Sequence, residues 1–334
     1  AAGMMRRRVG SIPAVVGALW VVTALFPGLI LIALTIDLVR RVRPLPDPLP
    51  LGERGTLATV RLCVFLLCFL VIENLGLLLL LWTFLSTGAG SRARAARTFA
   101  IQRIYSGLLL RSVTWVFSLK FVVHGSELVR PGPLLVFCRH ASLVDVLIPG
   151  GFIANVHLLE LRYVLKRELL AEPCLDVAGH WIPNHFVDRR GLDTEKELAA
   201  IGALKAGIGE NEGVIIYPEG TRFSASLRAA LLEKLTGPEL ARAQRLRHLL
   251  PIRPGGAITL LAAAPSCDVL FVGHHGLEGL TRLEDIWRGS LVGRTVTIQF
   301  WREPASSIPE GNEARLQWVN DRWQRMDDWL ETLS

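Results

Sequence analysis

Hydrophobic and polar positions divide the chain into two regimes. From Val9 to Ile36, 28 residues pass without a charged side chain, and from Leu62 to Ser91 only Glu73 carries one. A helix needs about 20 apolar residues to cross a bilayer's hydrocarbon core. Two membrane-spanning helices are therefore predicted, over residues 9–38 and 62–90. Glu73-Asn74 is a costly interruption there. It fits a side chain turned to a protein partner or polar cavity, a helix lying in the interface, or a snorkelling Arg61 nearby. The intervening loop carries Pro44, Pro46, Pro48 and Pro50 and reads as an extended connector. Next, Ile101 to Phe121 mixes Ile, Leu, Trp and Phe with Arg103, Arg111 and Lys120. That pattern belongs equally to a helix in the membrane surface and to an amphipathic helix packed on a domain.

Beyond Phe121, short apolar runs alternate with helical stretches. Strands are predicted at Phe121–His124, Leu134–Cys138, Tyr163–Leu165, Val214–Tyr217, Val269–Val272 and Val296–Trp301. Helices are predicted around Val144–Asn155, Asp193–Ile208, Ser224–Leu235 and Ala257–Ala263. Such alternation predicts an α/β domain with a mixed, largely parallel sheet flanked by helices. Reactive groups in these folds collect at the carboxyl ends of strands. A closing helix, Glu313–Leu333, bears Trp318, Trp323 and Trp329 and is expected to pack on the sheet. The division is thus residues 1–111 as membrane-anchoring helices and 112–334 as a catalytic domain.

Charge sharpens the picture through its distribution. Of the net +7, residues 1–111 carry 13 Lys+Arg against 4 Asp+Glu, whereas 112–334 carry 24 against 26. The positive surplus flanks the apolar segments, where it suits anionic lipid headgroups. A nucleic-acid binder would carry it on the folded domain, so no nucleic acid is expected. Arg6, Arg7 and Arg8 could introduce a signal peptide, but the apolar stretch after them far exceeds a typical signal core, so a retained anchor is expected. Ala1, Ala2 and Gly3 ahead of Met4 are set aside as a cloning remnant. Two spans would put the arginines at 6–8 and at 92–103 on one side, taken as cytoplasmic. Five cysteines without a CxxC pair are read as reduced and structural, in keeping with a reducing compartment.

The first chemical constellation is Leu134-Leu135-Val136-Phe137-Cys138-Arg139-His140-Ala141-Ser142-Leu143-Val144-Asp145, read as strand, turn and helix start. On one continuous helix, His140 and Asp145 would point about 140° apart, so their pairing needs the bend between them. With it, the aspartate fixes the imidazole tautomer and leaves the other nitrogen to take a proton from an alcohol. The same residues also fit a capping box, Ser142 as N-cap and Asp145 three residues on. The second constellation is Val214-Ile215-Ile216-Tyr217-Pro218-Glu219-Gly220-Thr221-Arg222, a buried strand ending in a turn. Its glycine allows close backbone approach, and its arginine offers a planar fork suited to phosphate.

These blocks resemble the HxxxxD and EGTR motifs of the glycerolipid acyltransferases, in particular the 1-acylglycerol-3-phosphate acyltransferases. Tyr163–Leu169 with Lys166, Phe186-Val187-Asp188-Arg189 and Leu250–Ala257 resemble further blocks of that family, in its order. Arg139 stands where many members have asparagine, and Ile252 interrupts a Pro-Arg pair, which leaves the acceptor open. The resemblance implies a glycerol-3-phosphate acyltransferase-like fold and transfer from acyl-CoA or another acyl thioester to a lysophospholipid hydroxyl, first among them 1-acylglycerol-3-phosphate. It implies His140 and Asp145 as the catalytic pair, with Arg222, Arg189, Lys166, Glu219, Gly220 and Thr221 around the acceptor. Backbone N–H groups near the helix start are expected to hold the oxyanion. No cofactor or metal is required, and membrane phospholipids are the expected partners. The alternatives are another lysophospholipid or glycerol-3-phosphate as acceptor, or a non-catalytic lipid-binding protein on the same fold. His180, His185, His274 and His275 show no metal spacing and are read as structural or surface residues.

Overall fold

A computed structural model describes residues 2–42, 57–187 and 194–334. Three long helices come first: α1 (Ala2–Val42), α2 (Ala58–Ser86) and α3 (Arg92–Phe117). The end of α1 caps the start of α2, because the Asp37 carboxylate accepts from the Thr59 and Val60 N–H groups at 3.1 Å each. Those are two of the donors that a helix N-terminus leaves without partners. Arg61, near the start of α2, donates to the Val116 carbonyl near the end of α3, so α2 and α3 run antiparallel. α1 and α2 are each long and apolar enough to cross a membrane by length and composition. The second predicted segment stops earlier than expected, at Ser86, and α3 starts nine residues before Ile101. The predicted division at residue 111 falls inside α3, which packs on both α2 and the globular part.

Among the described residues the strands are β1 (Lys120–His124), β2 (Leu134–Cys138), β3 (Glu160–Lys166), β4 (His185–Val187), β5 (Glu212–Ile216), β6 (Asp268–His275) and β7 (Thr295–Glu303). They form one sheet in the order β1-β7-β6-β2-β5-β3-β4, parallel throughout except for the antiparallel β6–β7 pair. Helices between and after them are α4 (Pro173–Ala178), α5 (Thr194–Ala203), α6 (Ala225–Leu232), α7 (Gly237–Arg245), α8 (Pro254–Ala263), α9 (Leu283–Trp287) and α10 (Asn312–Glu331). All five residues of β2 are buried, as a central parallel strand covered on both faces must be.

Alternation along the strands divides the core. Leu135, Phe137, Val214, Ile216, Val269 and Phe271 meet α5, α8 and α10, including Trp318 and Trp323. Leu134, Val136, Ile215, Leu270 and Val272 meet α3, α9 and the segment after Asp145. The closing helix therefore buries its tryptophans inward, and Trp329 stacks edge-on to Trp301 of β7.

The predicted helix over Val144–Asn155 is replaced by a turn and then a π-helix, Pro149–Asn155. Pro149 supplies no N–H for a regular helical bond. The Asn155 side chain donates back to the Gly150 carbonyl at 2.7 Å and to the Arg103 carbonyl of α3 at 2.8 Å. α3 lies so close that a Cβ on Gly151 would sit 2.1 Å from Leu110 Cδ2.

Candidate active site

Because β2, β3, β5 and β6 are parallel, their carboxyl ends share one edge, and the candidate residues lie there. His140 follows β2 by two residues, and His274 occupies the same level on neighbouring β6, since Cys138 pairs with Val272. The bend anticipated between His140 and Asp145 is present. His140 Nδ1 lies 3.0 Å from Asp145 Oδ1. Asp145 Oδ2 accepts from the N–H groups of Ala141 at 2.6 Å and Ser142 at 2.7 Å. Ser142 Oγ in turn accepts from the N–H groups of Val144 and Asp145 at 3.0 Å. The capping box and the histidine pairing thus coexist, each using its own carboxylate oxygen.

That carboxylate is buried, which alone would raise its pKa, but the hydrogen bond from His140 and the charge of the His140 and His274 imidazoles hold it well below the usual range. An ionised Asp145 can only accept, so Nδ1 carries the proton and His140 Nε2 is left with its lone pair. Tyr217 packs beside the imidazole, ring centroids 4.8 Å apart.

His274 is the residue that sequence reasoning passed over. It is buried, and its Nε2 lies 3.3 Å from Asp145 Oδ2, so the aspartate sits between two imidazoles. Its neighbour in sequence, His275, is half-buried, with Nδ1 3.6 Å from Glu278. His180 contacts Asp176, and His185 contacts Glu197 at 2.7 Å, both away from His140.

Two expectations are corrected. Glu219 does not face an acceptor: it is 1% exposed, and its two carboxylate oxygens accept from the N–H groups of His140 at 2.9 Å and Leu250 at 3.2 Å. It is a strut that ties three loops together. Burial pushes its carboxyl up to about 8, only partly offset by the His140 N–H, the Arg139 guanidinium and the Leu250 N–H. The turn also offers no oxyanion donor. Every backbone N–H from His140 to Asp145 has a protein acceptor, Leu143 bonding to the Leu280 carbonyl at 2.9 Å.

The rest of the Glu219–Arg222 turn is closely held. Gly220 adopts φ +70°, the left-handed region that glycine enters without a Cβ penalty, and a Cβ there would lie 2.7 Å from Arg253 Cδ. Phe223 N–H donates to the His140 carbonyl at 2.8 Å, so the residue after Arg222 is bonded to the dyad's own backbone. Thr221 and Arg222 are half-buried. Arg222 donates to the Thr281 carbonyl at 3.1 Å, and no carboxylate pairs with it among the described residues. Lys166 ends β3, two strands from β2 and hence about 10 Å along the same edge. Arg189 and Asp188 lie outside the described residues.

Support arrives from far along the chain. The buried Asp327 of α10 accepts from three successive N–H groups, of Arg247, His248 and Leu249, at 2.8 to 2.9 Å. Leu250 is thereby presented to Glu219. Arg139, which stands where many members of the family have asparagine, is buried and bonds to the carbonyls of His274 and His248 and to Glu278.

Residues 120–272, which contain His140, Asp145, Glu219 and Arg222 and end two residues short of His274, match a family model described as acyltransferase. They form an acyltransferase domain. The fold of the chain is similar to a crystal structure of the 1-acyl-sn-glycerophosphate (LPA) acyltransferase PlsC from Thermotoga maritima. The TM-score is 0.55 at 18% sequence identity, over 82% of this chain and 98% of that one. At that identity the likeness concerns the fold. No curated protein sequence matches the chain. The mixed, largely parallel sheet flanked by helices and the acyltransferase family anticipated from the motifs are both borne out.

Proposed function

We propose that the acyltransferase domain moves a fatty acyl group from an acyl thioester, such as acyl-CoA, to the free hydroxyl of 1-acylglycerol-3-phosphate. The observation that carries this reading is the His140–Asp145 pair, whose Oδ1 contact fixes Nδ1–H and leaves Nε2 as base. Nε2 takes the hydroxyl proton as the acceptor oxygen bonds to the thioester carbonyl carbon. The C–S bond then breaks, and the departing thiolate receives the same proton from Nε2–H. General-base assistance of this kind contributes about 10² to 10⁴ in rate. No protein nucleophile or metal takes part in the scheme.

Arg222 is assigned to the acceptor phosphate, because it is half-buried, precedes the residue whose N–H bonds to the His140 carbonyl, and has no acidic partner among the described residues. Lys166, at the end of β3, is assigned to the outer part of the same site, Arg189 is assigned to the acceptor by the family resemblance alone, and Gly220 and Thr221 shape the turn that presents Arg222. Membrane phospholipids surround the apolar helices and deliver the acceptor. The domain is placed on the cytoplasmic face, in keeping with five cysteines that are all free.

The test is thiol release from acyl-CoA with 1-acylglycerol-3-phosphate, lysophosphatidylcholine, lysophosphatidylethanolamine and glycerol-3-phosphate, for the wild type and for His140→Ala and Arg222→Ala. Turnover of the phosphate monoester is expected, lost in His140→Ala and shifted to higher KM in Arg222→Ala. Absence of turnover on every acceptor would sink the assignment. Preference for a phosphodiester acceptor unaffected by Arg222→Ala would remove the arginine's role.

A further inference from the structure

No backbone N–H between His140 and Asp145 is free to hold the charge that collects on a thioester oxygen under attack, since each already has a protein acceptor. Enzymes hold such charge with donors fixed in advance beside the reacting carbon. β5 brings one to the imidazole from the neighbouring strand.

Side chains alternate along a strand, so Ile215 and Tyr217 share a face. That face also carries Val136 and Cys138 of β2, and Tyr217 packs there with Tyr163 of β3. Because Phe137 pairs with Ile216, Tyr217 falls level with Cys138, two residues before His140. Its ring lies against the imidazole, centroids 4.8 Å apart and planes inclined at 44°.

Both rings are held by their own backbones. A residue before proline is confined to extended conformations, and Pro218 follows Tyr217. The Tyr217 carbonyl accepts from the Gly220 N–H at 2.9 Å, while His140 is fixed through its N–H by Glu219 and through its carbonyl by Phe223. Phenol and imidazole thus belong to one closely bonded block.

The fold makes no use of the phenol's hydroxyl. Its oxygen is shut off from solvent and has no hydrogen-bond partner among the described residues. A buried donor left unmatched is costly, and packing alone would be served by a phenyl ring. Burial, with neighbouring Cys138, Asp145 and Tyr163, pushes the phenol pKa well above its ordinary value, so the hydroxyl keeps its proton and stays a donor. The His140 side chain is itself only 9% exposed. Base and hydroxyl lie under one cover, and a carbonyl brought to Nε2 comes within reach of both.

We propose that Tyr217 is a catalytic residue whose hydroxyl donates to the developing oxyanion of the acyl thioester, an assignment that rests on the acyl-transfer reading. As the acceptor oxygen bonds to the carbonyl carbon, the C=O π pair moves onto oxygen, and the Tyr217 O–H bonds to it without releasing its proton. The pair returns as the C–S bond breaks, and the thiolate leaves with the proton held on Nε2.

The test is the thiol-release assay on wild type and Tyr217→Phe, with every acceptor that the wild type turns over. The oxyanion forms on the donor's carbonyl, so kcat should fall by about 10² to 10³ whichever acceptor is used. KM for acyl-CoA and for the acceptor should stay within about threefold of wild type. The unfolding midpoint should be no lower than that of the wild type, because the hydroxyl removed had no partner. A Phe variant with kcat within about threefold of an active wild type overturns the proposal and leaves the acyl-transfer reading standing. A loss expressed in the acceptor KM overturns it too, making the phenol an acceptor contact. A wild type that turns over no acceptor removes both. Should Tyr217→Phe melt earlier than wild type, Tyr217→3-fluorotyrosine decides: this more acidic phenol of almost the same shape should keep kcat at or above the wild-type value, and a fall overturns the role.

Discussion

Asp145 serves catalysis and architecture through separate oxygens, so the two can be taken apart. In Asp145→Asn, the two N–H donors of Ala141 and Ser142 require the amide oxygen, which turns the amide NH2 toward His140 Nδ1. Nδ1 must then accept, the ring proton moves to Nε2, and the base is disabled. The expected loss in kcat is about 10² to 10⁴. The architectural loss is modest. Two hydrogen bonds to a charged acceptor become bonds to a neutral one, about 1 kcal/mol each. For a domain of this size, about 2 kcal/mol lowers the unfolding midpoint by roughly 4 to 8 °C. Asp145→Ala removes both acceptors and leaves two buried N–H groups unmatched, at about 1 to 3 kcal/mol each, so it should lose activity and unfold earlier still. The assay pairs thiol-release kinetics with a thermal melt of the same detergent-solubilised samples. An Asn variant keeping kcat within about tenfold of wild type would refute the tautomer argument.

His274 presses on the same carboxylate. His274→Ala should lower kcat more than it raises KM and change the pH profile of kcat/KM, with partial recovery in His274→Asn; an unchanged profile would make it packing alone. Glu219, with a folded-state pKa of about 8 against 4.5 in an unfolded chain, favours folding most at low pH. Stability should fall as pH rises from about 5 to 8, because the unfolded carboxyl ionises first. Glu219→Gln should flatten part of that slope, leaving the part due to buried Glu172, whose carboxyl is also pushed up by burial and by neighbouring Glu73. Melts across that pH range check it, and an unaltered slope would count against the assignment. Gly220→Ala forces a Cβ onto a left-handed residue and against Arg253. A cost of about 1 to 2 kcal/mol is expected, with a KM rise for the phosphate acceptor larger than the kcat change.

What could be read from the residues follows from how local each signal is. Six strands were legible because β-branched and aromatic runs identify them without their neighbours. β4 was not, since His185-Phe186-Val187 is three residues long and owes its pairing to β3. The π-helix was hidden because its cause is contact: Gly150 and Gly151 admit α3, which sequence periodicity does not report. α4, α7 and α9 were missed for shortness, none exceeding nine residues.

The site shows the same division. His140 and Asp145 sit five residues apart and share one turn, so their pairing could be anticipated. His274 is 134 residues from His140 and joins it only through the β2–β6 register. Glu219 carried the right motif and the wrong role, because whether its carboxylate meets ligand or backbone is decided by Leu250 and the fold. Length and hydropathy state that α1 and α2 suit lipid, whereas their contacts with the domain depend on Asp176 and Trp287, distant in sequence.

The three N–H groups held by Asp327 set an order on the protein's synthesis. A nascent chain that has already formed α1 to α3, and has even completed β2 and β5, still lacks the carboxylate that fixes the loop ahead of Leu250. The reactive edge therefore assembles last, when α10 leaves the ribosome and folds back over the sheet. Until then the growing chain has the strands of its sheet without the brace that finishes their reactive edge.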